Sequence, residues 1–93
     1  MPITFYIPSP LRTFTNGKSE VHISEPAASV GEALSALWGR YPGLRDRIVN
    51  EQGDVREHIN VFVEEESIRY TGGLKTPVSG SSKVSIVPAV SGG

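Results

Sequence analysis

Alternating apolar and polar positions open the chain. Residues 3–7 place apolar side chains at every second position, and residues 19–24 repeat this period with Val21 and Ile23. A two-residue period is typical of a β-strand with one face in the core. The dipeptide Asn16-Gly17, between the two segments, favours a tight turn. The pattern therefore predicts a hairpin of two strands, 3–7 and 19–24, joined by a wide loop.

The period then lengthens to that of a helix. Apolar residues recur at steps of three and four from Val30 to Tyr41, which lines one side of a helix with them. Ser29 and Glu32 have the spacing of a capping box at the start of this segment. Pro42 disfavours helical geometry in the residue that precedes it. We therefore expect one main helix from about Val30 to Tyr41.

The two-residue period returns in the second half of the chain. Residues 59–63 predict a third strand, and Glu64–Glu66 follow it as a solvated edge. The segment SIRY, residues 67–70, is interpreted as a short fourth strand, and residues 83–87 as the last strand. The stretch LRDRIV, residues 44–49, adds a short helical turn after the main helix.

This order of elements favours an α+β fold. One helix cannot cover both faces of the predicted sheet, so we expect it to pack across one face and leave the other open. That arrangement is the ubiquitin-like β-grasp, a mixed sheet of four to five strands with one main helix. In it the last strand lies parallel to the first, which makes residues 1–88 the domain and residues 89–93 a flexible tail.

The composition is that of one small domain. The chain has 93 residues, of which 38% are hydrophobic and 20% charged, enough for one modest core. A formal net charge of −1 gives no electrostatic reason to expect a nucleic acid or an anionic membrane as a partner. The absence of cysteine excludes disulfides, zinc–thiolate sites and a catalytic thiol. No phosphate-binding glycine loop with its lysine and no nucleophile with a plausible base is present, which argues against an enzyme.

No targeting or membrane segment is apparent. The amino terminus MPITFYIP lacks the charged start and the cleavage site of a signal peptide. No apolar run approaches the ~20 residues that span a bilayer. We therefore expect a cytoplasmic protein, monomeric by itself.

The carboxyl terminus raises a different question, because the last strand runs into Gly92 and Gly93 with nothing after them. Terminal glycines are often a frayed end or the remnant of a cut linker. By themselves the last eight residues, IVPAVSGG, leave these interpretations open.

Longer motifs give the terminus a context. The element order, the turn RYTGGL at residues 69–74 and the terminal segment VSIVPAVSGG at residues 84–93 resemble the ubiquitin-like sulfur-carrier family (MoaD/ThiS type). This is the group of the molybdopterin-synthase small subunit and the thiamine-biosynthesis carrier. The start IPSPLR and the RYTGGL turn are most similar to the actinobacterial sulfur carriers of cysteine biosynthesis. The resemblance covers nearly the whole chain.

The resemblance implies a carrier whose own terminus is the substrate. In this family the carboxylate, here that of Gly93, is adenylated by a partner enzyme that uses ATP and magnesium, and is then converted to a thiocarboxylate that donates sulfur. Residues Val90, Ser91, Gly92 and Gly93 are expected to thread into the partner's active site, reaching about 13–14 Å when extended. The carrier itself is expected to bind no cofactor and no metal.

The sulfur acceptor is not fixed by the resemblance. A sulfur-accepting synthase, such as a cysteine synthase-like enzyme, or another cofactor or metabolite pathway fits equally well. A protein modifier joined through Gly93 to lysines, like ubiquitin, shares the fold, the activation step and the tail. A small interaction domain with an idle tail is the third hypothesis.

The open face of the sheet supplies a candidate docking surface. If Val61 and Val63 face the helix, Phe62 faces away from it, and the same alternation turns Val87 and Tyr6 to the open side. An exposed apolar cluster on a small protein is a candidate partner site. We therefore expect Tyr6, Phe62 and Val87 to form a partner-binding patch.

Charged and titratable residues give weaker signals. Arg69, Lys75 and Lys83 are candidates to lie near the tail and meet acidic groups of a partner, and an ordinary solvated surface fits them equally well. His22 and His58 lack the spacing of a metal site, so both are interpreted as surface histidines.

Overall fold

The protein is described from a computed structural model that covers residues 2–88, with five strands and two helices. The strands are β1 (Ile3–Tyr6), β2 (Glu20–Ile23), β3 (Ile59–Val63), β4 (Glu66–Ser67) and β5 (Lys83–Pro88). The helices are α1 (Val30–Arg40) and α2 (Arg45–Ile48). Short 3₁₀ segments occupy Ser9–Thr15, Pro42–Leu44, Ile68–Tyr70 and Gly73–Lys75. The predicted tail, residues 89–93, lies outside the described residues.

The five strands form one mixed sheet in the order β2-β1-β5-β3-β4. β1 and β2 are antiparallel with Phe5 opposite Val21, as the predicted hairpin requires. β5 is parallel to β1 and antiparallel to β3, and it therefore occupies the centre of the sheet. The predicted α+β class, with the last strand beside the first, is confirmed.

One face of the sheet and one side of α1 form the core. The inward residue of each central strand, Phe5, Val61 or Val84, is at most 1% exposed. Alternation along the strands buries these residues on a single face, against the apolar side of α1. The buried residues of α1 are Val30, Ala33, Leu34 and Leu37.

The start of α1 is fixed by side-chain capping. Ser29 Oγ accepts a hydrogen bond from the Glu32 backbone N–H at 3.2 Å. The Glu32 side chain reaches back as expected, but its Oε1 accepts from the backbone N–H of Ala28, at 2.9 Å, one residue before the cap. The helix ends at Arg40, so the predicted boundary at Tyr41 is one residue too long.

The prediction of a strand at residues 67–70 is wrong for three of its four residues. β4 ends at Ser67, and Ile68–Tyr70 form a 3₁₀ turn instead. Ser67 Oγ accepts from the Arg69 backbone N–H at 3.3 Å, which caps that turn. The turn also buries Ile68, which is 4% exposed. Local capping and burial of one apolar side chain thus replace strand pairing.

Glu64 does more than form a solvated edge. It has φ = 57°, in the left-handed region, and lies in the turn between β3 and β4. Its backbone N–H donates to the Lys83 carbonyl at 2.8 Å, and its Oε1 accepts from the Lys83 backbone N–H at 3.0 Å. These two bonds tie the turn to the start of β5. Glu65 and Glu66 are exposed, as predicted.

None of the helices within residues 2–88 is both long and apolar enough to cross a membrane.

Candidate functional site

The face of the sheet opposite α1 carries one continuous row of side chains across four strands. Tyr6 of β1 is paired with Ser85 of β5, Ser85 with Phe62 of β3, and Phe62 with Ser67 of β4. Their neighbours along β1, β5 and β3 are buried in the core or packed against it, so alternation turns this row to the open face. The row therefore crosses the centre of the uncovered side.

Two aromatic side chains flank a small one in this row. Tyr6 and Phe62 lie on either side of Ser85, two strand spacings or about 10 Å apart, and both are half-buried. Val87 lies two residues further along β5, opposite Asn60, and is 43% exposed. The open face thus has a shallow apolar surface, defined by Tyr6, Phe62 and Val87. Its role as a partner-binding patch stays a prediction.

The last described strand ends at one defined end of the sheet. Pro88 is opposite Ile59, where β3 begins, and β5 runs parallel to β1, so Pro88 lies at the end of the sheet where β1 finishes. We call this the exit end of the sheet. The predicted threading residues, Val90, Ser91, Gly92 and Gly93, lie outside the described part of the chain. Their role stays a prediction.

Lys83 lies at the opposite end of β5 from Pro88. It begins β5 and Pro88 ends it, which separates the two residues by five strand steps, or about 16 Å. The expected closeness of Lys83 to the tail involves residues 89–93, which lie outside the described part of the chain, and stays a prediction. Lys75 lies beside the start of α1, because the carbonyl of the next residue, Thr76, accepts from the Val30 backbone N–H at 2.9 Å.

Arg69 does reach the exit end. A terminal guanidinium N–H donates to the Glu57 carbonyl at 2.8 Å, and Glu57 comes two residues before Ile59. Two further arginines are held in the same way on main-chain carbonyls. Arg12 Nε donates to Ile7 O at 3.1 Å, and Arg56 Nε donates to Asp46 O at 2.8 Å.

Arg12 and Arg56 were not among the predicted site residues, because nothing in their local sequence distinguishes them from other surface arginines. Within residues 2–88 the salt bridges are Arg40–Glu25 and Arg45–Asp46, both between partly exposed side chains. Arg12, Arg56 and Arg69 are in neither. Their guanidinium groups are positioned by backbone carbonyls, which leaves the positive charge uncompensated by a carboxylate in this part of the chain.

The two histidines lie at the surface of the domain. His22 and His58 are both exposed, as predicted, and His22 Nδ1 lies 3.0 Å from Thr4 Oγ1 on the open face. In the described range, 2–88, no group of three His, Cys, Asp or Glu side chains is placed to hold a metal ion. A recess of about 250 Å³ beside β3 has an apolar floor that includes Ile59, Val61 and Ile68.

Comparison with known proteins gives this geometry a family. The ThiS family matches residues 5–93, which include the whole described sheet from Phe5 onward and the terminal glycines. The chain belongs to the ThiS family.

Individual relatives and solved structures are similar to this chain along nearly its full length. The sulfur carrier protein CysO of Mycobacterium tuberculosis is 34% identical over 95 residues, covering 100% of both chains. In the crystal structure of the Amycolatopsis orientalis BexX/CysO complex, the matching chain is 36% identical, with a TM-score of 0.87 and coverage of 98% of this chain and 99% of that one. The crystal structure of SAMP1 from Haloferax volcanii matches with 28% identity, a TM-score of 0.83 and coverage of 100% of both chains.

These relatives confirm the resemblance to ubiquitin-like sulfur carriers and the β-grasp fold. Two roles occur among the relatives of this ThiS-family chain, because some are named as sulfur carriers and others as small archaeal modifier proteins. The chain is therefore a ThiS-family protein with a sulfur-carrier or ubiquitin-like role.

Proposed function

We propose that this ThiS-family protein is a sulfur carrier whose C-terminal Gly93 carboxylate is adenylated and then converted to a thiocarboxylate. The observation that carries the proposal is the extent of the family match, which runs through β5 to Gly93 itself. The full-length similarity to a sulfur carrier, CysO, supports it.

The proposed chemistry follows from the weakness of a carboxylate as an electrophile. An oxygen of the Gly93 carboxylate attacks the α-phosphorus of ATP, pyrophosphate leaves, and an acyl adenylate forms. A sulfide equivalent then attacks the acyl carbon and AMP leaves, which creates a terminal thiocarboxylate. ATP and magnesium belong to the partner enzyme. The carrier supplies the acyl group and binds no cofactor itself.

Glycines at the last two positions suit this chemistry. A residue without Cβ passes through a narrow channel and adopts backbone angles closed to other residues. The five residues after Pro88 span about 16–18 Å when extended. That length lets Gly93 reach a nucleotide inside a partner while the folded domain stays outside, so the carrier acts as a substrate and not as an enzyme.

Docking is assigned to the open face. Tyr6, Phe62 and Val87 give an apolar surface that continues along β5 to the exit end. A partner that covers this surface would hold the start of the tail in a fixed direction. The partners proposed are an adenylating enzyme or sulfurtransferase and a sulfur-accepting synthase. A relative of this chain is found in a complex with a second protein, BexX.

Intact-mass spectrometry tests the proposal directly. The full chain is incubated with the adenylating enzyme of its host, ATP, magnesium and a sulfide source. We expect the mass of one sulfur to replace that of one oxygen, with fragmentation placing the change on Gly93. An unchanged carboxylate, under conditions in which the same enzyme modifies another carrier, would overturn the proposal.

A protein-modifier role is the second candidate. It is favoured by the match to SAMP1, because small archaeal modifier proteins share both the fold and the full length of this chain. The two roles differ only in the fate of the activated acyl group. Peptides in which Gly93 is joined to a lysine side chain, found in digests of host extract, would support conjugation.

A further inference from the structure

Tyr70 has the highest exposure of any large hydrophobic residue that the structure describes. Its side chain is 88% exposed, and the next, Val87, is 43% exposed. A single exposed aromatic residue is not unusual by itself. The position of Tyr70 makes its exposure informative. Hydrogen bonds of neighbouring residues hold its backbone and connect its turn to the sheet.

The backbone that presents this ring is held at several points. Ser67 caps the turn through the Arg69 N–H, and the Arg69 guanidinium donates to Glu57 O at 2.8 Å. Thr71 Oγ1 lies 2.9 Å from Oγ1 of Thr76, which is 4% exposed. An aromatic side chain on a fixed backbone has only two torsions to order on binding, so it contributes contact area at a low entropic cost.

Two glycines complete the turn. Gly72 and Gly73 have φ = 115° and 61°, in the left-handed region that favours glycine. They lie two and three residues after Tyr70 and fix the backbone of the turn in which the Tyr70 side chain is exposed.

The turn is continuous with the open face. Ser67, which caps it, is paired with Phe62, a member of the apolar surface. Its other anchor, Glu57, lies just before Ile59, the partner of Pro88. The turn that carries Tyr70 is thus connected to the open face through Ser67 and to the exit end, where β5 ends at Pro88, through Glu57.

The recess of about 250 Å³ under the same turn is lined by Ile68, Arg69, Gly73 and Leu74 among others. Sites for free small ligands usually measure about 300–1,000 Å³. This recess is smaller, and because Ile59 and Val61 in its lining belong to the core face, it lies on the α1 side of the sheet and is not part of the surface of Tyr6, Phe62 and Val87.

We propose that Tyr70 is a docking anchor for the adenylating enzyme that receives the tail. Its ring enters an apolar slot on that enzyme, and the phenol hydroxyl meets a hydrogen-bond acceptor there, because a buried phenol needs a partner. The proposal rests on the proposed function, since it names a contact of the same enzyme. It adds a second contact point beside the surface of Tyr6, Phe62 and Val87.

Steady-state kinetics of thiocarboxylate formation test this, with the full chain, the adenylating enzyme of the host, ATP and sulfide. We expect Tyr70→Ala to raise KM for the carrier roughly 30-fold, a typical hot-spot effect, with kcat within about twofold of wild type. Tyr70→Phe keeps the ring and should stay within roughly tenfold of the wild-type KM. Glu65→Ala, exposed at the opposite end of β3, is the control and should leave both constants unchanged.

The outcomes separate this inference from the function on which it rests. An active wild type with an unchanged KM for Tyr70→Ala overturns the anchor and leaves the carrier function standing. A loss confined to kcat overturns it as well, because docking acts on KM. A wild-type chain that is not thiocarboxylated overturns both. Melting temperatures should match among all variants, and a lower one for Tyr70→Ala would assign the residue a structural role instead.

Discussion

Pro88 lies opposite Ile59 in the pairing of β5 with β3, although a proline cannot donate to a sheet. The alternation of hydrogen bonds along β5 explains why this proline removes no hydrogen bond from the sheet. The Ser82 carbonyl accepts from the Thr4 N–H of β1 at 3.0 Å, whereas the Lys83 carbonyl accepts from Glu64, beyond β3, at 2.8 Å. Even-numbered residues of β5 therefore direct their backbone groups to β1 and odd-numbered ones to β3.

The missing N–H of Pro88 consequently points to the β1 side, where β1 has already ended at Tyr6. Val87 still pairs with Asn60 of β3. Pro88 thus belongs to β5, which extends one residue beyond the predicted last strand, residues 83–87. It ends the pairing on the β1 side, while β3 holds the strand up to the exit.

Shortening or lengthening the terminus should abolish function without affecting the fold. Deleting Gly93 moves the carboxylate back by one residue, about 3.5 Å, and adding a residue turns it into an amide. Since a displacement of about 1 Å can cost ~10²-fold in rate, we expect thiocarboxylate formation to fall at least 100-fold in both variants. Mass spectrometry measures the product, and thermal unfolding checks that the melting temperature is unchanged. Normal thiocarboxylation of either variant would show that Gly93 is not the reactive end.

A charge on the open face should weaken docking. Val87→Asp places a carboxylate on the apolar surface, where a partner would have to desolvate it without a counter-charge. We expect the dissociation constant for the adenylating enzyme to rise at least tenfold, as measured by titration calorimetry. Phe62→Asp should act in the same direction. The matched control is Val84→Asp, three residues earlier on β5 and 0% exposed, which should unfold the domain. Unfolding of Val87→Asp, or unchanged binding, would contradict the face assignment.

Loss of the helix cap should cost stability. Ser29→Ala removes the acceptor for the Glu32 N–H, and such losses destabilise proteins by about 1 kcal/mol. Urea unfolding measures the difference. Ser35→Ala, at an exposed position within α1, is the control and should be neutral or slightly stabilising. Equal stabilities for the two variants would show that the Ser29 bond contributes nothing.

Two glycines of α1 should respond differently to the same change. A Cβ at Gly39 meets no atom within 4 Å, so Gly39→Ala should stabilise the domain by roughly 0.5–1 kcal/mol through helix propensity. A Cβ at Gly31 would lie 3.3 Å from the Leu74 carbonyl oxygen, so Gly31→Ala should gain less. Urea unfolding compares the two variants. A larger gain at Gly31 would mean that the 73–75 turn moves away freely.

The helix and the longer strands follow from periodicity alone. Residues 3–7, 30–41 and 59–63 each repeat apolar side chains at the spacing of one element, and the structure places each element within a residue or two of its predicted bounds. The family was also readable, because the turn RYTGGL at residues 69–74 and the terminal segment VSIVPAVSGG at residues 84–93 are local features of the chain. Such features are encoded by neighbouring residues, whose spacing decides which side chains share a face.

The tertiary structure decided the rest. Residues 67–70 have the composition of a strand, but burial of Ile68 and the Ser67 cap close a 3₁₀ turn and leave Tyr70 in solvent. Local sequence offered no way to separate Lys83 from Arg69 as candidates near the tail. In the structure Arg69 reaches the exit end through its hydrogen bond to Glu57 O, whereas Lys83 lies at the other end of β5. These placements depend on contacts between residues far apart in sequence, such as Lys83 with Glu64 or Pro88 with Ile59. Such contacts form only when the sheet is assembled, so local periodicity carries no record of them.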